Sequence, residues 1–137
     1  MQQAADARTE AQRLRDQALV INDSMADEME VYKVKVKAGD DFMVEADRLD
    51  AEADEIYREH RDDGFWWRVY WRRIYLNKRR QADRMRDRAY AAYAEAEQYY
   101  DAHLRAPMDQ MRAKQEQADA LMGQADTLEQ QAREACP

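Results

Sequence analysis

Apolar side chains recur along this chain in alternating steps of three and four. Ala4, Ala7, Ala11, Leu14, Ala18, Ile21 and Met25 form the first such series. That spacing puts all seven on one stripe of an α-helix with a 3.5-residue repeat. Beyond Met25 the register drifts through Met29, Tyr32 and Val36. The run VYKVKVK at 31–37 alternates apolar and basic residues as a short strand would, yet its neighbours are helical and no second strand stands ready to pair with it. It reads as the end of a first helix spanning about 2–37, where Lys33, Lys35 and Lys37 suit the negative end of the helix dipole.

Punctuation then divides the rest of the chain. Ala38-Gly39-Asp40-Asp41 reads as a stop followed by a start, with Gly39 in a left-handed conformation and an aspartate capping the next helix. A second helix over 41–61 carries Phe42, Ala46, Leu49, Ala53, Ile56 and His60 on one seam. Arg61-Asp62-Asp63-Gly64 supplies another breaker and cap, so a third helix is expected over 65–105, with the seam Ala82, Met85, Ala89, Ala92, Ala96, Tyr99 and His103. Pro107 suits the first turn of a fourth helix over 107–135, because a missing N–H costs nothing there. Its seam runs Met111, Ala118, Leu121, Ala125, Leu128, Ala132 and Ala135. A tetrapeptide, Ala-Asp-x-(Leu/Ile/Met), recurs at 46–49, 53–56, 82–85, 118–121 and 125–128 as part of this heptad pattern.

Composition sharpens the class. With 24 Ala, 17 Arg and 12 Gln against only six Val, three Ile and two Thr, the balance is that of a helical chain. The expected fold is all-α: elongated antiparallel helical hairpins, or a coiled-coil bundle of about four helices, forming a single helical domain over 1–137. The N-terminal residues have no apolar core of the kind a secretory signal needs, and no run of about 20 apolar residues occurs, so a cytoplasmic or virion location is expected. Cys136 stands alone beside the last residue, which rules out an intrachain disulfide.

Charge is unevenly distributed. Residues 1–63 carry a net −9, residues 65–88 a net +7 and residues 89–137 a net −5. Residues 40–63 hold eleven acids and three arginines, so the second helix complements the third, and an antiparallel hairpin about Asp62-Asp63-Gly64 is expected. In that hairpin Ala46, Leu49, Ala53 and Ile56 should face the third helix.

Chemistry is sparse. Ser24, Thr9, Thr127, Cys136, His60 and His103 form no local arrangement of a nucleophile with an oriented base. The three glycines are isolated, so no phosphate-cradling loop is present. A di-iron centre wants Glu-x-x-His on two helices, whereas Tyr57 and Tyr100 occupy the Glu positions before His60 and His103. Both histidines are expected to be packing residues. No enzyme activity, cofactor or metal is assigned.

The cationic block at 65–88, FWWRVYWRRIYLNKRRQADRMRDR, remains. Its candidate partner-binding residues are Phe65, Trp66, Trp67, Tyr70, Trp71, Ile74 and Tyr75, and its basic patch is Arg68, Arg72, Arg73, Lys78, Arg79, Arg80 and Arg84. Large aromatics and arginine dominate protein interfaces, so burial against a protein partner or a second copy is the first reading. Trp66, Trp67 and Trp71 are its expected anchors. A membrane surface comes second, since Trp, Tyr and Arg also suit the headgroup region. Nucleic acid comes third, because acidic arms oppose it and pairing with the second helix should neutralise the same arginines. The chain is therefore expected to be a structural subunit of a larger assembly, such as a virion component of a bacterial virus.

Overall fold

A computed structural model describes residues 2–135; Cys136 lies outside them. Four α-helices account for most of the chain: α1 Gln2–Ser24, α2 Ala26–His60, α3 Arg72–His103 and α4 Arg105–Ala135. A π-helical segment, Trp67–Trp71, leads directly into α3. No strand occurs among the described residues. The fold is an all-α helical bundle, and it divides into two compact units. Val31–Tyr99 forms one, and the remaining described residues form the other.

The breaks between helices depart from the pattern expected of glycine and proline. Residues 31–37 are helical, but they lie inside α2 and do not end a first helix. Gly39 is neither a breaker nor left-handed; it is a buried residue of the same helix. Its lysine neighbours accordingly act through side-chain partners. Lys35 Nζ donates to Glu95 Oε1 at 2.8 Å, and Lys37 Nζ to Asp41 Oδ2 at 2.9 Å. The first helix instead ends at Met25, where the Met25 N–H turns back to Asn22 O at 3.1 Å and the Ser24 hydroxyl donates to Ile21 O. The break is shallow, since Met29 N–H still bonds Met25 O at 2.8 Å. Leu104 forms the corresponding break before α4, and Pro107 does fall in that helix's first turn. Met25 and Leu104 are both buried. The one-residue break places Leu104 in the core where the heptad count pointed to His103, and His103 is exposed.

In the unit that holds both chain ends, α1 and α4 run antiparallel. Arg8 pairs with Glu129 and Asp126, Arg15 with Asp119 at 3.5 Å, and Lys114 donates to Gln17 at 2.9 Å. Between these flanks lie Ala4, Ala11, Leu14 and Ala18 of α1 and Ala118 and Ala125 of α4, all buried. Leu121 and Met122 cover the cluster of Ala11, Leu14 and Ala118.

The unit Val31–Tyr99 is the expected hairpin. Gly39, Ala46, Leu49 and Ala53 of α2 and Ala82, Ala89 and Ala96 of α3 are buried, and Ile56 is half-buried. Lys78 donates to Glu52 at 2.7 Å, Arg79 to Asp50 at 2.9 Å and to Asp54, and Arg86 pairs with Asp50. With Asp40 reached by Tyr93 and Lys35 paired with Glu95, the pairs run down α2 as they run up α3, which fixes the antiparallel register. Gly39 marks the tightest approach: a Cβ there would lie 2.5 Å from Cε1 of Tyr93. The Tyr93 hydroxyl is itself held by donating to Asp40 Oδ1, which raises its pKa.

Two predictions follow from this packing. Gly39→Ala alone should destabilise the protein in chemical denaturation, because the ring of Tyr93 must move; in a Tyr93→Ala background the same change should stabilise by about 1 kcal/mol, the helix-propensity difference between Gly and Ala. The second concerns pH. The hydrogen bond from Arg8 holds Glu129, and that from Lys78 holds Glu52, below the usual carboxylate range. A carboxylate with a depressed folded pKa stabilises fully above its unfolded value, and that contribution disappears as pH falls through the folded one. The melting temperature should therefore hold from neutrality down to about pH 5 and drop below about pH 4, and Glu52→Gln with Glu129→Gln should flatten that drop.

Candidate functional site

The hairpin turn closes on backbone contacts. Arg61 N–H bonds Tyr57 O at 3.1 Å, Asp63 N–H bonds His60 O at 3.0 Å, and Trp66 N–H reaches Asp63 O at 3.3 Å. Gly64 has φ +59° and is the positive-φ residue of the turn. A side chain there meets no steric obstacle but incurs roughly 1–2 kcal/mol of backbone strain. The expected aspartate cap is absent: the Asp63 carboxylate lies 2.8 Å from His60 Nδ1 and holds the imidazole instead.

Immediately after the turn the backbone widens into the π-helical segment, with Arg72 N–H donating to Trp67 O. Such single wide turns are often found at functional positions. Here it has a geometric consequence. In a regular helix each step of four residues overshoots a full turn by about 40°. The wider turn reduces that overshoot, so Trp67, Trp71 and Tyr75 share the side that meets α2.

Those three rings form an inner layer with residues of α2. Tyr57 meets Trp67 edge-on at 5.6 Å and Tyr75 at the same centroid distance. The Trp67 and Tyr75 rings lie 5.9 Å apart. His60 stacks flat on Trp71, with centroids 3.6 Å apart and planes 3° from parallel. The guanidinium of Arg79 sits over the Tyr75 ring and that of Arg61 over Tyr57. Trp67, Trp71, Ile74 and Tyr75 are half-buried by this chain alone.

The other aromatics point outward. Phe65 and Trp66 are each 61% exposed, Tyr70 51% and Val69 47%. Tyr70 rests edge-on against Trp71 of the inner layer at 4.8 Å, whereas Phe65 meets Trp66, itself exposed, edge-on at 5.6 Å. The structure thus divides the three expected tryptophan anchors, leaving Trp66 presented and Trp67 and Trp71 engaged within the hairpin. Tyr57, absent from the residues expected at the site, meets both Trp67 and Tyr75 although it is itself 40% exposed. Its signal was the antiparallel register, which sets it opposite Tyr75.

The basic patch is divided in the same way. Lys78, Arg79 and Arg86 are consumed by Asp50, Glu52 and Asp54 of α2. Arg68, Arg72, Arg73, Arg80, Arg84 and Arg88 make no ion pair with any described residue. Charge pairing along the hairpin therefore neutralises only part of the block. Among the described residues no group of three or more His, Cys, Asp or Glu side chains is placed to hold a metal ion, and no helix is long and apolar enough to cross a membrane. The site offers ring faces and guanidinium groups for contact.

Removing the imidazole should loosen the inner layer alone. His60→Ala is expected to cost about 0.5–1.5 kcal/mol, the usual worth of an aromatic pair. In the NMR spectrum it should shift the indole N–H signal of Trp71 while leaving that of Trp66 in place.

No protein-family model, curated protein or solved structure matches this chain, so its function is read from these residues.

Proposed function

We propose that this chain is a non-catalytic structural subunit that builds or braces a larger protein assembly, docking through the tip of its α2–α3 hairpin. The observation that carries the reading is the two-layer arrangement of the aromatic block. Phe65, Trp66, Val69 and Tyr70 are exposed next to the packed rings, with Tyr70 touching them through Trp71 and Phe65 and Trp66 touching each other. A monomer seldom leaves such a patch uncovered, and ordered aromatic side chains lose little entropy when a partner receives them. Arginines beside the patch complete the residue set that dominates interface energetics. A virion component of a bacterial virus fits this description by size and helical composition. A membrane surface is the weaker alternative, because Asp62 at the apex of the turn is 91% exposed and would lead the hairpin into lipid.

A photocrosslinking phenylalanine analogue at position 66, introduced in the producing cell, tests the reading. It should give one dominant protein adduct, and the same group at the exposed position 91 should not. Trp66→Ala with Tyr70→Ala should weaken that association by about 2–4 kcal/mol, the scale of a lost anchor, with helicity by circular dichroism unchanged. Adducts only to lipid or nucleic acid, or none at all, would contradict it.

A further inference from the structure

The arginines left unpaired by the hairpin lie beside the exposed aromatics, and four of them have a shared feature. Arg68, Arg72, Arg73 and Arg80 line one groove together with the half-buried Leu76. Leu76 is the one apolar residue of the groove's lining, set among the four arginine side chains, and Val69 follows Arg68 on the same helix. From Arg68 to Arg80 the groove extends roughly 18 Å along the helix at 1.5 Å per residue, about three helical turns.

We propose that this groove receives an acidic amphipathic helix of a partner protein, whose apolar side chains cover Leu76 and Val69 while its carboxylates engage Arg68, Arg72, Arg73 and Arg80. The proposal rests on the docking reading above and adds the chemistry of the partner. Charge complementarity selects it. An isologous contact between two copies would bring the same arginines face to face, and like charges at an interface are costly. Guanidinium groups instead match carboxylates in a two-point fork. A nucleic-acid backbone would satisfy the arginines but has no apolar counterpart for Leu76 and Val69. An anionic lipid surface would meet the acidic apex, where Asp62 is exposed and Glu59 and Asp63 both lie against His60.

The 137-residue chain is to be titrated with four probes while tryptophan fluorescence is followed. They are a synthetic helix of leucine on one face and glutamate on the other, its lysine-for-glutamate twin, phosphatidylglycerol vesicles and a single-stranded oligonucleotide. The glutamate helix should bind, more weakly as salt rises, and the lysine twin should not. Arg72→Ala with Arg73→Ala should weaken binding at least about tenfold at unchanged helicity, as expected when carboxylates lose desolvated partners. Failure of the glutamate helix to bind, indifference to the arginine changes, or tighter binding to vesicles or oligonucleotide would overturn the proposal. The same arginine variant in the position-66 crosslinking experiment separates the two readings. If the protein adduct survives undiminished, the acidic-helix proposal falls and the docking reading stands; if wild type gives no protein adduct, the docking reading falls as well.

Discussion

Paired helices in this protein approach one another through residues with little or no side chain, and the remaining structure depends on that approach. In the hairpin, Gly39, Ala46 and Ala53 recur every seven residues on α2, and Ala82, Ala89 and Ala96 do so on α3. The unit of α1 and α4 repeats the device with Ala4, Ala11 and Ala18 against Ala118 and Ala125. Short side chains allow close backbones but bury little apolar area, so each stripe stabilises less than a leucine seam would. Larger neighbours such as Leu14 and Leu49, and ion pairs along the flanks, supply the rest. The flanking pairs range from exposed to partly buried, and an exposed pair is worth only about 0–1 kcal/mol. Their greater role is to fix register and direction.

A core built of alanine has a consequence at the hairpin tip. Trp67, Trp71 and Tyr75 form an apolar layer far bulkier than the stripe below it, and Tyr57 and His60 are the α2 residues wide enough to meet them. Two side chains on α2 cannot also cover Phe65, Trp66, Val69 and Tyr70. These remain outside as a second layer, beside arginines that the acids of α2 do not reach. The exposed surface thus arises from a mismatch in bulk between two helices that are otherwise well paired in charge.

Much of this was legible in the sequence. Heptad seams located the buried alanines, and the opposed charges of residues 40–63 and 65–88 located the hairpin. The position of the breaks was not legible. A glycine that closes a helix and one that admits a neighbouring ring look alike in one dimension, and Gly39 is the second kind because Tyr93 lies across from it. Met25 carries no breaker of its own, and the one-residue offset at Leu104 that turns His103 outward leaves no compositional mark. Which basic residues stay unpaired was also hidden, since it follows from register: Arg79 pairs with Asp50 and Asp54, whereas Arg72, a heptad earlier, and its neighbour Arg73 pair with no described acid. The wide turn at 67–71 coincides with the packed rings and has no breaker residue to announce it.

The aromatic block divides into a packed layer that holds Trp71 and a presented one that holds Trp66. Acrylamide quenching of single-tryptophan chains, each retaining only Trp66 or only Trp71 with phenylalanine at the other two positions, measures that division directly. Trp66 should be quenched several-fold more efficiently than Trp71 in the isolated chain. Equal quenching of the two, whether both exposed or both shielded, would contradict it.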